Sequence, residues 1–180
     1  MELFEKILNE EYAYKGKIIN LRIDTVELPD GSKSTRENVE HNGGIGVLPI
    51  DDDGYAYVVK QWRSPYREVV LEIPAGKRDG DEKPLDGGIR ELKEEIGAKA
   101  QDFTYLGKLY PSPGYCGEII YLYLARGLEF ESQKLDEGEF LNVEKIEFKK
   151  LVQMVMDGSV FDSKTIAAVL KADKLLFNDK

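Results

Sequence analysis

Residues 76–98 read GKRDGDEKPLDGGIRELKEEIGA, and the C-terminal part of this stretch carries strong local signals for a helix. Pro84 suits the first helical turn, where its missing N–H goes unmissed, and Gly97 suits the left-handed position just past the end. Leu85, Ile89, Leu92 and Ile96 recur at helical spacing between them. At about 100° per residue these four fall within an arc of roughly 60°, while Glu91, Glu94 and Glu95 spread over about 100° on the broadly opposite side. The pattern predicts one packed face and one face presenting three carboxylates, with Arg90 four residues before Glu94 and able to pair with it. Gly87-Gly88 is discordant, because each glycine costs about 1 kcal/mol relative to alanine in a helix interior. Either the backbone packs closely there or the first turns are soft.

Clustered carboxylates repel one another, and a divalent cation relieves that repulsion. Mg²⁺ suits the demand, being hard, oxygen-seeking and able to bridge one or two carboxylates to substrate phosphates. On these residues alone a solvated acidic face is the alternative. Composition points the same way as the helix: 34 Asp and Glu against 25 Lys and Arg give a net charge of -9, with one His and one Cys. A single His41, read as ending a strand, excludes a His-rich zinc site and, unless it takes part itself, any Ser-His-Asp or Cys-His pair. Cys116 alone makes no internal disulfide, and no neighbouring His or Lys activates it. With no signal-like apolar start, a cytoplasmic setting is expected. A pI near 4.8 without a basic block argues against a nucleic-acid partner. No run approaches about 18 apolar residues, so no membrane span is expected.

Outward from the helix, the chain mixes strands and helices without regular βαβ alternation, which predicts an α+β, mixed-sheet sandwich. A short amphipathic turn or helix is expected around Phe4, Ile7 and Leu8. Alternation over Ile19–Thr25 predicts a strand, Pro29-Asp30-Gly31-Ser32 a turn, and residues 34–40 the returning strand. Residues 1–42 thus form a β-rich appendage and 43–180 the main domain. Ile45, Val47, Leu48 and Ile50 read as a strand buried on both faces. Further strands are expected at Tyr55–Trp62, Val69–Ile73, Phe103–Tyr110, Ile119–Leu124 and Glu139–Ile146, then helices at Phe148–Met156 and Thr165–Leu176, the latter capped by Asp162.

Gly76, Glu82, Arg90, Glu91, Leu92, Glu94, Glu95, Gly97 and Ala98 stand in the spacing Gx5Ex7REUxEExGU, U being apolar, over all 23 positions from Gly76 to Ala98. This resembles the Nudix hydrolase signature. Gln61-Trp62-Arg63, Glu72-Ile73-Pro74-Ala75-Gly76 and Pro111-Ser112-Pro113-Gly114 with Glu118 are similar to the ADP-ribose pyrophosphatase branch of that family, Pro113 falling 15 residues after Ala98.

The resemblance implies a Nudix-like α/β/α sandwich and metal-dependent hydrolysis of ADP-ribose to AMP and ribose 5-phosphate, or of a related nucleoside diphosphate sugar. Its alternatives are another nucleotide sugar, a dinucleoside polyphosphate, or a Nudix-like domain that binds a nucleotide without cleaving it. It implies Glu91, Glu95 and the Ala75 carbonyl as ligands of Mg²⁺ or Mn²⁺, Glu94 as a further ligand or a group close behind them, and Glu82 and Arg90 as orienting the set. Arg63 would meet the substrate diphosphate and Glu118 the terminal ribose. It implies that a glutamate of the loop at 135–139 activates water or helps hold a metal, Glu137 being the first choice for the base and Glu139 for the metal-holding role. It also implies a homodimer in which residues 1–42 of one subunit help build the other's site.

Overall fold

The computed structural model describes residues 3–177, which form two compact units. The first comprises residues up to 43 together with 110–119, and the second residues 44–109 and those from 120 onward.

In the first unit, β1 (Lys6–Lys15), β2 (Ile19–Glu27) and β3 (Lys33–His41) form an antiparallel sheet in that order. The turn or helix expected around Ile7 and Leu8 is instead strand β1, with Ile7 opposite Val26. The correction has a simple cause. Every residue of β1 between Lys6 and Lys15 is at least partly open to solvent, so no helical face has a core to meet, and the edge of β2 offers the backbone its hydrogen bonds. The Pro29–Ser32 turn forms as predicted: the Gly31 N–H donates to Leu28 O at 2.9 Å, and Asp30 Oδ1 accepts from the Ser32 N–H at 2.9 Å. Residues 110–119 lie along β3, with the Val39 N–H donating to Tyr115 O and the Gly117 N–H to Val39 O.

The second unit is built on β4 (Gly44–Pro49), β5 (Tyr55–Arg63), β6 (Glu68–Glu72), β7 (Ala75–Lys77), α1 (Pro84–Ile96), β8 (Ala98–Leu109), β9 (Ile120–Phe130), β10 (Leu141–Glu147), α2 (Phe148–Met156) and α3 (Ser163–Phe177). One sheet has the order β7-β4-β9-β8, mixed because β4 runs parallel to β9 and antiparallel to β7; the other has the order β10-β5-β6. Strand β4 is buried at every residue, as its nearly continuous apolar run, interrupted only by Gly46 and Pro49, predicts. Its side chains alternate between two cores. Ile45 and Val47 join Leu92 and Ile96 of α1, whereas Leu48 joins Leu151 of α2 and Val169 of α3. This places helices on both faces of a mixed sheet. The short strand β7 and the early start of β8, directly after α1, are the elements the periodicity does not show.

The packed face of α1 differs from the one its apolar residues predict. Leu85 and Ile89 are exposed, and the buried residues are Gly87, Gly88, Glu91, Leu92, Glu95 and Ile96. Close approach of the glycine pair to β4 is the reason. A Cβ on Gly87 would stand 2.8 Å from Ile45 Cδ1, and one on Gly88 would stand 3.2 Å from Val47 Cγ2. The helix is thereby turned so that Glu91 and Glu95 face inward, at 7% and 1% exposure.

Candidate active site

Residues 74–76 lead from β6 into β7, and the inward glutamates of α1 meet them there. The Ala75 N–H donates to Glu95 Oε2 at 2.9 Å. Gly76 leaves the space in which the Glu91 carboxylate lies, since a Cβ on it would stand 2.0 Å from Glu91 Oε1. Any larger residue would push the carboxylate, the far end of a flexible side chain, out of that space.

Arg90 gathers three glutamates of the stretch. Its Nε and Nη2 donate to the two oxygens of Glu82, both at 3.1 Å, and its Nη1 donates to Glu91 at 2.7 Å and Glu94 at 2.8 Å. A further bond to Lys77 O ties the guanidinium to β7. Arg90 holds the Glu82 carboxyl below its ordinary value. For Glu91 and Glu95 burial wins: it pushes the Glu91 carboxyl up to about 7 and that of Glu95 to about 8. Arg90 and the Ala75 N–H oppose this, and the negative charge of Glu139 adds to the rise at both.

The loop of residues 131–140 is fastened to the end of α1: the Glu131 N–H donates to Gly97 O, the Lys134 N–H to Glu94 O, and Gln133 Nε2 to the Glu95 carbonyl. It brings Glu139 into electrostatic reach of Glu91 and Glu95, with Gln61 Nε2 donating to Glu139 Oε1 at 3.3 Å. Glu137 is exposed at the turn of the same loop.

Arg63, at the end of β5, forms a bidentate pair with Glu72 of β6, Nε to Oε1 at 2.5 Å and Nη2 to Oε2 at 2.6 Å. Glu72 is 2% exposed and is also bonded by Lys164 of α3, itself buried. Burial alone would push the Glu72 carboxyl up, but Arg63 and Lys164 together hold it below its ordinary value. Neither Glu72 nor Lys164 has a role in the site expected from sequence. The signal available was a charged residue inside each of two otherwise packed segments, LEIP and DSKTIAAVL.

Glu118 belongs to the first unit, where one carboxylate oxygen stands 3.4 Å from His41 Nδ1. Arg22, Asn38, His41, Tyr115 and Cys116 of the same unit line a cavity of about 420 Å³.

Among the described residues, no three His, Cys, Asp or Glu side chains converge closely enough to cage a metal unaided. What the stretch offers instead is a pair of buried, under-compensated carboxylates beside a backbone turn. That donor set fits a hard divalent cation completing its shell with water and substrate oxygens. Among the described residues no helix is long and apolar enough to cross a membrane.

Residues 40–169 match the NUDIX domain family, and residues 5–39 match the nucleoside diphosphate sugar hydrolase N-terminal domain. The chain is 39% identical over 169 residues to the ADP-ribose pyrophosphatase of Bacillus subtilis (strain 168), covering 93% of this chain and 91% of that one. It is 36% identical over 167 residues to the methanol dehydrogenase activator of Bacillus methanolicus, covering 92% and 90%. A crystal structure of an ADP compounds hydrolase superposes with a TM-score of 0.86 over 99% of this chain and 97% of that one, at 23% identity, and so shares the fold. With the glutamate helix, its arginine clamp and the glycine cradle in place along residues 76–98, the chain belongs to the Nudix hydrolase family.

Proposed function

We propose that this Nudix hydrolase cleaves the diphosphate bond of ADP-ribose with water, giving AMP and ribose 5-phosphate, and that it does so with a divalent cation, Mg²⁺ or Mn²⁺. The observation that carries the metal is the burial of Glu91 and Glu95 together, with carboxyls raised to about 7 and 8. Glu91, Glu95, Glu94 and the Ala75 carbonyl would hold the ion. When bound, it supplies charge neutralisation of the diphosphate and a water of lowered pKa. Arg90 and Glu82 orient the carboxylates through the bonds described above. Such supporting contacts are typically worth about 10–100-fold in activity or metal affinity.

Arg63 offers the diphosphate a guanidinium whose Nε and Nη2 are spent on Glu72, leaving Nη1 to a phosphate oxygen. Glu139, whose charge reaches Glu91 and Glu95, would act as the base, with Glu137, the first choice on sequence, in the supporting role. Glu118 meets the terminal ribose. The working form is a cytoplasmic homodimer, supported by the open edge and exposed apolar residues of β1.

The test is a substrate screen with purified protein and Mg²⁺ or Mn²⁺ over ADP-ribose, other nucleotide sugars and dinucleoside polyphosphates. Phosphate released after phosphatase treatment is the readout. Preference for ADP-ribose, abolished by a chelator, supports the proposal. Preference for another class moves the substrate, and binding without cleavage of any class refutes the enzyme reading of the site.

A further inference from the structure

The first turn of α3 is bonded to the end of β6, just ahead of Ala75, on both side chain and backbone. Asp162 Oδ2 caps the helix by accepting from the Thr165 N–H at 2.9 Å and from Thr165 Oγ1 at 2.6 Å. Thr165 Oγ1 in turn accepts from the Ile73 N–H at 2.8 Å. One residue earlier on each side, Lys164 Nζ bonds Glu72 Oε2 and also donates to Asp162 Oδ1 at 3.0 Å. Thr165, Glu72 and Lys164 are all buried. The result is a closed set of two cations, Arg63 and Lys164, and two carboxylates, Glu72 and Asp162. The Lys164 side chain is 10% exposed against 37% for Arg63, so Arg63 is the member open to a ligand.

We propose that Lys164 is a positioning residue for Arg63: by sharing buried Glu72 and answering Asp162, it leaves the Arg63 guanidinium able to attract a diphosphate. The charge count gives the reason. With Lys164 present the four groups sum to zero, and the exposed member is a cation. Without it two carboxylates face one arginine, the local sum is negative, and Glu72 rests wholly on the guanidinium that the substrate needs. A lone buried carboxylate draws its single partner in tightly, since desolvation makes an under-paired charge costly. Both cations also lie within the field of Glu95, Lys164 opposing the rise of its carboxyl. The inference rests on the reading of Arg63 as a diphosphate contact.

The experiment compares wild-type with Lys164→Met, Lys164→Gln and Lys164→Arg, measuring kcat and KM for ADP-ribose at saturating Mg²⁺. A contact made alike in ground and transition states appears in KM. Lys164→Met and Lys164→Gln are expected to raise KM by about fivefold or more while kcat changes less than KM, and Lys164→Arg is expected to restore KM. A smaller rise in KM, an equal or larger loss in kcat, or no rescue by Lys164→Arg overturns the proposal, since a merely structural lysine would lower the melting temperature without that split. If Lys164→Met does not fold, Lys164→Gln, which keeps a donor without the charge, decides. If wild-type leaves ADP-ribose uncleaved, the substrate assignment fails by itself. The positioning role is then decided by calorimetric binding of inorganic pyrophosphate, expected to weaken about fivefold or more in Lys164→Gln but not in Lys164→Arg, equal binding overturning it.

Discussion

Glu95 accepts the Ala75 N–H at 2.9 Å although the two residues are 20 positions apart, and the same carboxyl is pushed up to about 8 by its burial. The backbone of β7, where the signature begins, and the last glutamate of α1 are thus locked together around a carboxylate that is short of positive charge. The site follows from that shortage.

The first prediction concerns the carboxylates. Glu95→Gln keeps the shape and an acceptor for the Ala75 N–H, but removes the charge. Turnover should fall at least about 100-fold, the equivalent of roughly 2.7 kcal/mol of barrier, with circular dichroism unchanged. A variant with more than a tenth of wild-type Mg²⁺-dependent turnover would sink the metal-site reading.

Stability should report the same groups. Glu91 and Glu95 have folded-state carboxyls raised to about 7 and 8 from 4.5. Their contribution is therefore fully present below pH 4.5 and lost as pH rises through 7 and 8, because the folded state binds more protons than the unfolded state in that window. In a chelator, the melting temperature should fall between pH 5.5 and 8.5, and Glu95→Gln should flatten the fall. Added Mg²⁺ should raise the melting temperature most at the alkaline end. A chelated protein that becomes more stable across this window contradicts the assigned burial.

Gly76→Ala separates cradle from core. Its Cβ would stand 2.0 Å from Glu91 Oε1, so the carboxylate must leave its place beside Arg90. We expect activity to drop by about 100-fold, as for loss of a ligand. Leu92→Ala, in the fully buried centre of α1, should instead cost about 2–5 kcal/mol of stability. Equal activity for Gly76→Ala and wild-type would show that Glu91 does not need that position.

The two loop glutamates can be told apart. Glu139→Gln should slow turnover by about 100-fold or more, the size expected for loss of a general base, while Glu137→Gln, which changes only a supporting group, should cost no more than about threefold. Removing the Glu139 charge should also let Glu91 and Glu95 ionise at lower pH, moving the stability loss of the chelated protein downward. The reverse ranking of the two variants would return the base role to Glu137.

The open edge of β1 predicts association. Tyr14 is 58% exposed and Ile7 50%, on a strand that among the described residues is paired along one side only. Such an edge is usually covered or blunted. Light scattering should give a dimer mass, and Ile7→Lys with Tyr14→Lys should yield monomer with reduced activity. A monomeric wild-type at micromolar concentration would remove the dimer from the mechanism.

The sequence by itself determined the helix from Pro84 to Ile96 with its Gly97 cap, the doubly buried β4, the Asp162 cap and the signature from Gly76 to Ala98, because each is written within one short contiguous stretch. Hydrophobic periodicity could not say which way α1 faces. Leu85 and Ile89 mark an apolar stripe, yet the helix turns Glu91 and Glu95 inward, because two glycines let its backbone close on Ile45 and Val47 of a strand about 40 residues away. Nor could periodicity show β1, whose apolar residues meet no core, or β7, three residues long and defined by its pairing with β4. Tertiary structure alone placed Lys164 on Glu72 across 92 residues of chain. Local sequence carries backbone preference and amphipathic period, whereas the compensation of a buried charge depends on which distant segments are brought to it.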